Sequence, residues 1–195
     1  PNPHVVRMFI QELGMELESV EVDLMAGENR QQDHLSRNPS GQMPTLELNN
    51  GEFISEITVI CDYLDEQHGY TDLIGKTPED RAETRMWTRR IDLQIVEPLT
   101  NGFRFSEGHD FFKDRLRLIP QAADDLKTLA QERITWLDGQ IEGKEFICGN
   151  RFSLADIMFY CFLNFGTTVG QPLNEDNKNV VNLYNKIHSR PSASA

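Results

Sequence analysis

The residues best placed to do chemistry lie in Asn38-Pro39-Ser40-Gly41-Gln42-Met43-Pro44-Thr45-Leu46-Glu47-Leu48, with Glu56 twelve positions beyond Pro44. Thr45 to Leu48 alternates as a strand does, and Pro44 opens it. Proline gives no N–H to a ladder and keeps the residue before it extended. Met43 is then left with a backbone donor and acceptor for an extended, peptide-like ligand, and Glu56 supplies a charge that could fix the ligand's polarity. The plainer alternative has Pro44 trans at the end of a loop, since only about 5% of X-Pro bonds in folded proteins are cis, and Glu56 as a helix cap. Asn2 offers a second chemical position at the head of the first helix, where N–H groups point outward and the dipole favours negative charge. Its amide either caps that helix or donates to a ligand. His4, in the first turn, faces solvent or substrate, solvent being the simpler reading.

These residues need elements to hold them. Val5, Val6, Phe9, Ile10 and Leu13 form an apolar stripe at helical spacing, which predicts a helix over 3–13 ended by Gly14. Val20, Val22 and Leu24 alternate with acidic residues and predict a half-buried strand. A short, loosely packed helix is expected over 26–36. Strands over 45–48 and 52–54, joined by the hairpin signal Asn49-Asn50-Gly51, lead to a helix over 56–67. Residues 69–78 have turn composition and no period, and read as a linker.

Beyond the linker every pattern is helical. Thr77, Pro78, Glu79 and Asp80 carry the cap, first-position proline and acidic first turn of a long helix reaching about Thr100, with Pro98 near its end. Another spans about 111–139, with Pro120 either a kink or a boundary. Ser153 and Asp156 form a Ser-x-x-Asp capping box, with Phe152 placed to staple onto Ile157, and the helix behind them is apolar on nearly every side. That box reads as a folding device.

Composition excludes several classes of function. The net charge of −12, from 31 acidic against 19 basic side chains, opposes phosphate-backbone binding, so nucleic acid is not an expected partner. No apolar run approaches the length of about 20 residues that spans a bilayer. Cys61, Cys148 and Cys161 are odd in number, widely spaced and without metal-site spacing, which predicts reduced thiols, a cytoplasmic location and no metal.

The ordered set Asn-Pro-x-Gly-x-Met-Pro-x-Leu, a hairpin, Glu56 and the helix containing Val59-Ile60-Cys61-Asp62-Tyr63-Leu64 resembles the glutathione-binding half of the cytosolic glutathione transferases. The capping box at Ser153 and the ending Ser189-Arg190-Pro191-Ser192 resemble that family's helical half. The resemblance implies a thioredoxin-like domain over 1–68, lacking its first strand, a linker over 69–78 and an all-helical domain over 79–195. It also implies a cis Met43–Pro44 bond, with the Met43 backbone holding the cysteinyl part of glutathione. Glu56 would meet the glutamyl ammonium, and Gln42 the glycyl carboxylate. Ile57 stands where the family usually has serine, so only its N–H remains to bind there. Pro1-Asn2-Pro3 is similar to the bacterial-type loop in which a serine or threonine precedes the first proline and faces the sulfur; that hydroxyl is expected upstream of Pro1, and Asn2 is the further candidate to donate to the sulfur.

The second substrate implied is a small hydrophobic electrophile, or a peroxide or disulfide, held between the halves, with Trp87, Phe103 and Phe105 as candidate contacts. Arg89 and Arg90 read as an exposed or dimer-facing basic pair. A homodimer serving detoxification is the expectation. The alternatives are a glutathione-dependent isomerase or dehalogenase, or a non-catalytic relative that binds a protein partner.

Overall fold

The computed structural model describes residues 1–195. Helix α1 (Asn2–Glu12) buries Val5, Val6, Met8 and Phe9. A short 3-10 turn (Glu28–Arg30) and α2 (Gln32–Arg37) precede strands β1 (Thr45–Glu47) and β2 (Phe53–Ser55), which pair antiparallel with Leu46 opposite Ile54. Helix α3 (Ile57–His68) follows directly and packs beside α1.

The strand expected at 20–24 is absent. Alternation marks a strand only where a neighbouring ladder accepts its N–H and C=O groups, and the sheet here is the two-stranded β1–β2 hairpin. The segment runs over the surface, with Val20 79% exposed. The loose helix expected over 26–36 divides into the 3-10 turn and α2 because Gln31 between them is extended.

The helical part begins with α4 (Pro78–Ile91), whose start is the expected box: Thr77 Oγ1 accepts from the Asp80 N–H at 3.1 Å. The single long helix expected to reach Thr100 is interrupted. Asp92–Val96 forms a π turn before α5 (Glu97–Arg104). Pro98 explains the widening, since it cannot donate to the carbonyl four residues back and its ring presses on that turn. After α6 (His109–Phe112), Pro120 opens a 3-10 turn rather than kinking a helix, and α7 (Ala123–Gln140) starts behind it.

Helix α8 (Leu154–Thr168) is the centre of the core, with eleven of its fifteen residues buried. Its box is complete: Asp156 Oδ2 accepts from the Ser153 N–H at 2.9 Å and from Ser153 Oγ at 3.0 Å, while Oδ1 accepts from the Ile147 N–H at 2.8 Å. Burial pushes the Asp156 carboxyl up to about 6, against those hydrogen bonds. Helix α9 (Lys178–His188) closes the bundle through Val180, Leu183 and Ile187.

Polar clamps join the hairpin half to the helical half. Arg190 grips Glu12 through two bonds of 2.9 and 2.7 Å. Arg151 ties the segment before α4 to the helical half, donating to the Asp72 carbonyl and to Thr84 Oγ1, each at 2.8 Å. No helix is long and apolar enough to cross a membrane.

Candidate functional site

A cleft of about 610 Å³ opens between the start of α1, the loop before β1, the start of α3 and the wall made by α4, the π turn, α5 and α8. That volume lies in the range of about 300–1,000 Å³ usual for small-molecule sites. Asn2, Gln42, Met43, Pro44, Glu56 and Ile57 all line it, so the residues singled out from sequence come together in one place.

The Met43–Pro44 peptide is cis. Neither the N–H nor the C=O of Met43 makes a hydrogen bond within the chain. The loop that presents them is braced from behind: His34 Nε2–H donates to the Gln42 carbonyl at 3.0 Å and Asn38 Nδ2 donates to the same oxygen at 2.9 Å. Gly41, at φ 64°, is required there, because a Cβ would stand 3.1 Å from the Asn29 carbonyl oxygen.

Glu56 precedes α3 with φ 73° and ψ 121°, a conformation that costs a non-glycine residue on the order of 1–3 kcal/mol and recurs at functional sites. Its carboxylate is exposed and accepts no hydrogen bond, so it does not cap the helix. The first-turn N–H groups of Ile57 and Thr58 are likewise unspent. Asn2 is also not a cap. It is the first residue of α1, Pro1 occupies the cap position, and the Asn2 amide is free at the cleft wall. His4 is half-buried and does not line the cleft; its Nε2–H donates to the Ala193 carbonyl at 3.0 Å.

The cleft also holds groups that the sequence reading did not assign to the site. Arg89 lines the cleft and reaches Asp92 at 3.6 Å, whereas Arg90 lies over the Trp87 ring, so the two are not a single basic pair. Burial raises the Asp92 carboxyl, Arg89 lowers it, and Glu97 and Glu56 raise it further. These three acids therefore share one field across the cleft. Thr58 and Arg104 also line it. A hydroxyl in a first helical turn beside Ile57 was the available signal for Thr58; nothing local marks Arg104.

Of the aromatic candidates only Phe103 lines the cleft. Its ring stands edge-on to Phe112 at 6.1 Å and to Phe165 at 5.2 Å. Trp87 is buried against Trp136 as core, and Phe105 lies outside the lining.

The arrangement joins two helix starts, a peptide edge, an unpaired acid and an apolar wall. The family model described as glutathione S-transferase, N-terminal domain, matches residues 1–66, and that described as glutathione S-transferase, C-terminal domain, matches residues 117–191. Glutathione S-transferase 2 of Saccharomyces cerevisiae is 27% identical over 194 residues, covering 98% of this chain and 83% of the relative. Glutathione S-transferase F10 of Arabidopsis thaliana is 30% identical over 190 residues, covering 92% of this chain and 84% of the relative. The crystal structure of Gtt2 from Saccharomyces cerevisiae superposes with a TM-score of 0.93 at 27% identity, over 100% of this chain and 94% of that one. The fold is accordingly a thioredoxin-like N-terminal part followed by an all-helical one.

Proposed function

The chain belongs to the glutathione S-transferase family and is an enzyme of that class, and from that premise we propose that it joins the glutathione thiolate to a small hydrophobic electrophile. The sulfur forms the new bond, the leaving group departs with its electron pair, and the thiol proton passes to water. The thiolate is the nucleophile, so the site must favour the anion. The start of α1 does this through its dipole and the unspent N–H groups of Asn2 and His4, with the Asn2 amide donating to the sulfur.

The observation that carries this reading is the free backbone edge of Met43 in a cleft that also holds the unpaired Glu56. In the proposal the Met43 N–H and C=O pair with the cysteinyl backbone, Glu56 meets the glutamyl ammonium and Gln42 donates to the glycyl carboxylate. The glutamyl carboxylate is taken by the Ile57 N–H and by Thr58, whose hydroxyl replaces the donor lost at position 57. Pro44 shapes the edge. Peroxide or disulfide reduction, isomerisation and dehalogenation would use the same glutathione site, and a non-catalytic relative would leave it idle.

The proposed domain division is 1–68 and 79–195 with a linker over 69–78, supported by the change from hairpin to helices at α4. Val59 and Met86 are exposed apolar residues on α3 and α4 outside the cleft lining, which supports a homodimer. A cytoplasmic role in detoxification accords with three free, buried thiols.

Calorimetric titration with glutathione, followed by turnover of chlorodinitrobenzene, tests the reading. Saturable heat and a released conjugate are expected. A folded protein that gives no heat with glutathione overturns it.

A further inference from the structure

Arg104 is a cation in the cleft that nothing in the glutathione scheme uses. It sits in the last turn of α5, where the helix dipole favours positive charge. That accounts for a cation there but not for its surroundings. The guanidinium lies 5.8 Å from the Phe112 ring, and its one hydrogen bond within the chain runs from Nη1 to Asn101 Oδ1 at 3.0 Å. It makes no ion pair with any carboxylate. Burial lowers its pKa and the neighbouring Glu97 raises it, so the charge is partly desolvated and only remotely compensated. A guanidinium presents a planar fork of donors that matches a carboxylate, and most of that fork is unspent.

Around it the wall is aromatic. Phe103, Phe112 and Phe165 meet edge to face and line the same cleft, leaving ring surfaces for a planar guest. Glu56 and Asp92 lie toward the start of α3, where an ammonium is expected, and Glu97 is solvent-exposed. The cleft thus holds Glu56 and Asp92 toward the glutamyl end and, among aromatic rings, a cation whose neighbouring acid, Glu97, makes no ion pair with it.

We propose that Arg104 selects the second substrate, and that the preferred electrophile is an aromatic ring bearing a carboxylate or a similar anionic group. This rests on the glutathione transferase reading above and deepens it. In the transfer the glutathione sulfur bonds to the ring carbon, the leaving group takes the electron pair of the broken bond, and the thiol proton goes to water. Arg104 holds the anionic substituent and takes no part in the bond changes.

The test compares affinities, so it does not depend on turnover. Glutathione, its dinitrophenyl conjugate and the corresponding carboxydinitrophenyl conjugate are titrated into wild type, Arg104→Gln and Arg104→Lys, with melts recorded alongside. A carboxylate held by a charged donor is expected to bind about tenfold or more tighter than its neutral counterpart in wild type. The preference should vanish in Arg104→Gln and return in part in Arg104→Lys. Equal affinities of the two conjugates in wild type overturn the proposal whether or not the variants fold. Loss of glutathione affinity in Arg104→Gln as large as the loss for the carboxylated conjugate also overturns it, since Arg104 would then hold glutathione itself. Absence of glutathione binding in wild type overturns the underlying reading and the proposal with it, and so is distinct from failure of the proposal alone.

Discussion

Two helices here start beside an acid and use it in opposite ways. At the head of α8, Asp156 is fully buried and accepts three hydrogen bonds, from the Ile147 N–H, the Ser153 N–H and the Ser153 hydroxyl. At the head of α3, Glu56 is exposed at positive φ, accepts none, and stands beside unspent N–H groups in a cleft. A helix start must satisfy its orphan donors or leave them to solvent or a ligand. The first start closes its accounts within the chain and stabilises the fold, whereas the second keeps its capacity for something that arrives. Local sequence resembles a helix start in both; only backbone conformation and burial separate them.

The largest expected effect breaks the closed start. Asp156→Ala leaves three buried donors without their acceptor, each worth about 1–3 kcal/mol, so a loss of at least about 3 kcal/mol is expected in urea unfolding. Glutathione affinity of the folded fraction should not move. A variant as stable as wild type would show that the box contributes little to the fold.

Next is the titration of that same acid. Its folded carboxyl titrates near 6 against an ordinary value of 3.8, so the folded state holds the proton more tightly than the unfolded chain. Its contribution to stability is therefore greatest below about pH 4 and is lost as pH rises through 6, by on the order of 3 kcal/mol in all. Stability measured from pH 4 to 7 on wild type and Asp156→Asn should show this extra downward slope in wild type only. Parallel profiles would mean that the three hydrogen bonds cancel the cost of burial.

Glu56→Gln probes the open start. It keeps the shape and removes the charge, and losing one partner of a charged pair costs about 2–5 kcal/mol in binding. Glutathione affinity should fall at least about tenfold at matched ionic strength. The melt should shift little, because the carboxylate has no partner in the chain and contributes only a dipole interaction of about 0.3–1 kcal/mol. A large loss of stability with unchanged affinity would make the two starts alike.

Much of this contrast was legible from residue order. The Ser153–Asp156 box was identified by a local rule that holds wherever the residues stand and is formed as that rule has it, whereas the Met43–Pro44 edge and Glu56 were singled out by residue order together with the family resemblance, and both line the cleft. What escaped depends on remote parts of the chain. Val20 to Leu24 alternates as well as any strand, yet no adjacent ladder takes it. Asn2 has the composition of a cap but lies one residue inside its helix. The π turn at Asp92–Val96 follows from Pro98, and its effect, turning Asp92 and Leu93 into the cleft wall, is a three-dimensional result. Arg104 reads as an ordinary last-turn cation until α6 and α8 bring Phe112 and Phe165 around it.

The smallest expected effect concerns Thr58, and it sharpens the comparison most. In the proposed scheme Ile57 offers only its N–H to the glutamyl carboxylate, one donor short of what such a group usually takes. Thr58 is the next residue along, lines the same cleft, and its hydroxyl has no partner in the chain. Thr58→Val keeps the branched shape and deletes only the hydroxyl, so packing and helix propensity change little. One hydrogen bond to a charged group is worth roughly 1.5–3 kcal/mol when fully formed, and less where water can replace it. At this half-exposed position a three- to tenfold weakening of glutathione binding is therefore expected, about 0.7–1.4 kcal/mol, with the melt unchanged. The decisive comparison is with a glutathione analogue amidated at the glutamyl carboxylate. Wild type should lose affinity for it, and Thr58→Val should lose distinctly less, because the hydroxyl's partner is already gone. Equal losses in both proteins would assign the carboxylate to another donor and leave Thr58 as surface lining at an otherwise open helix start.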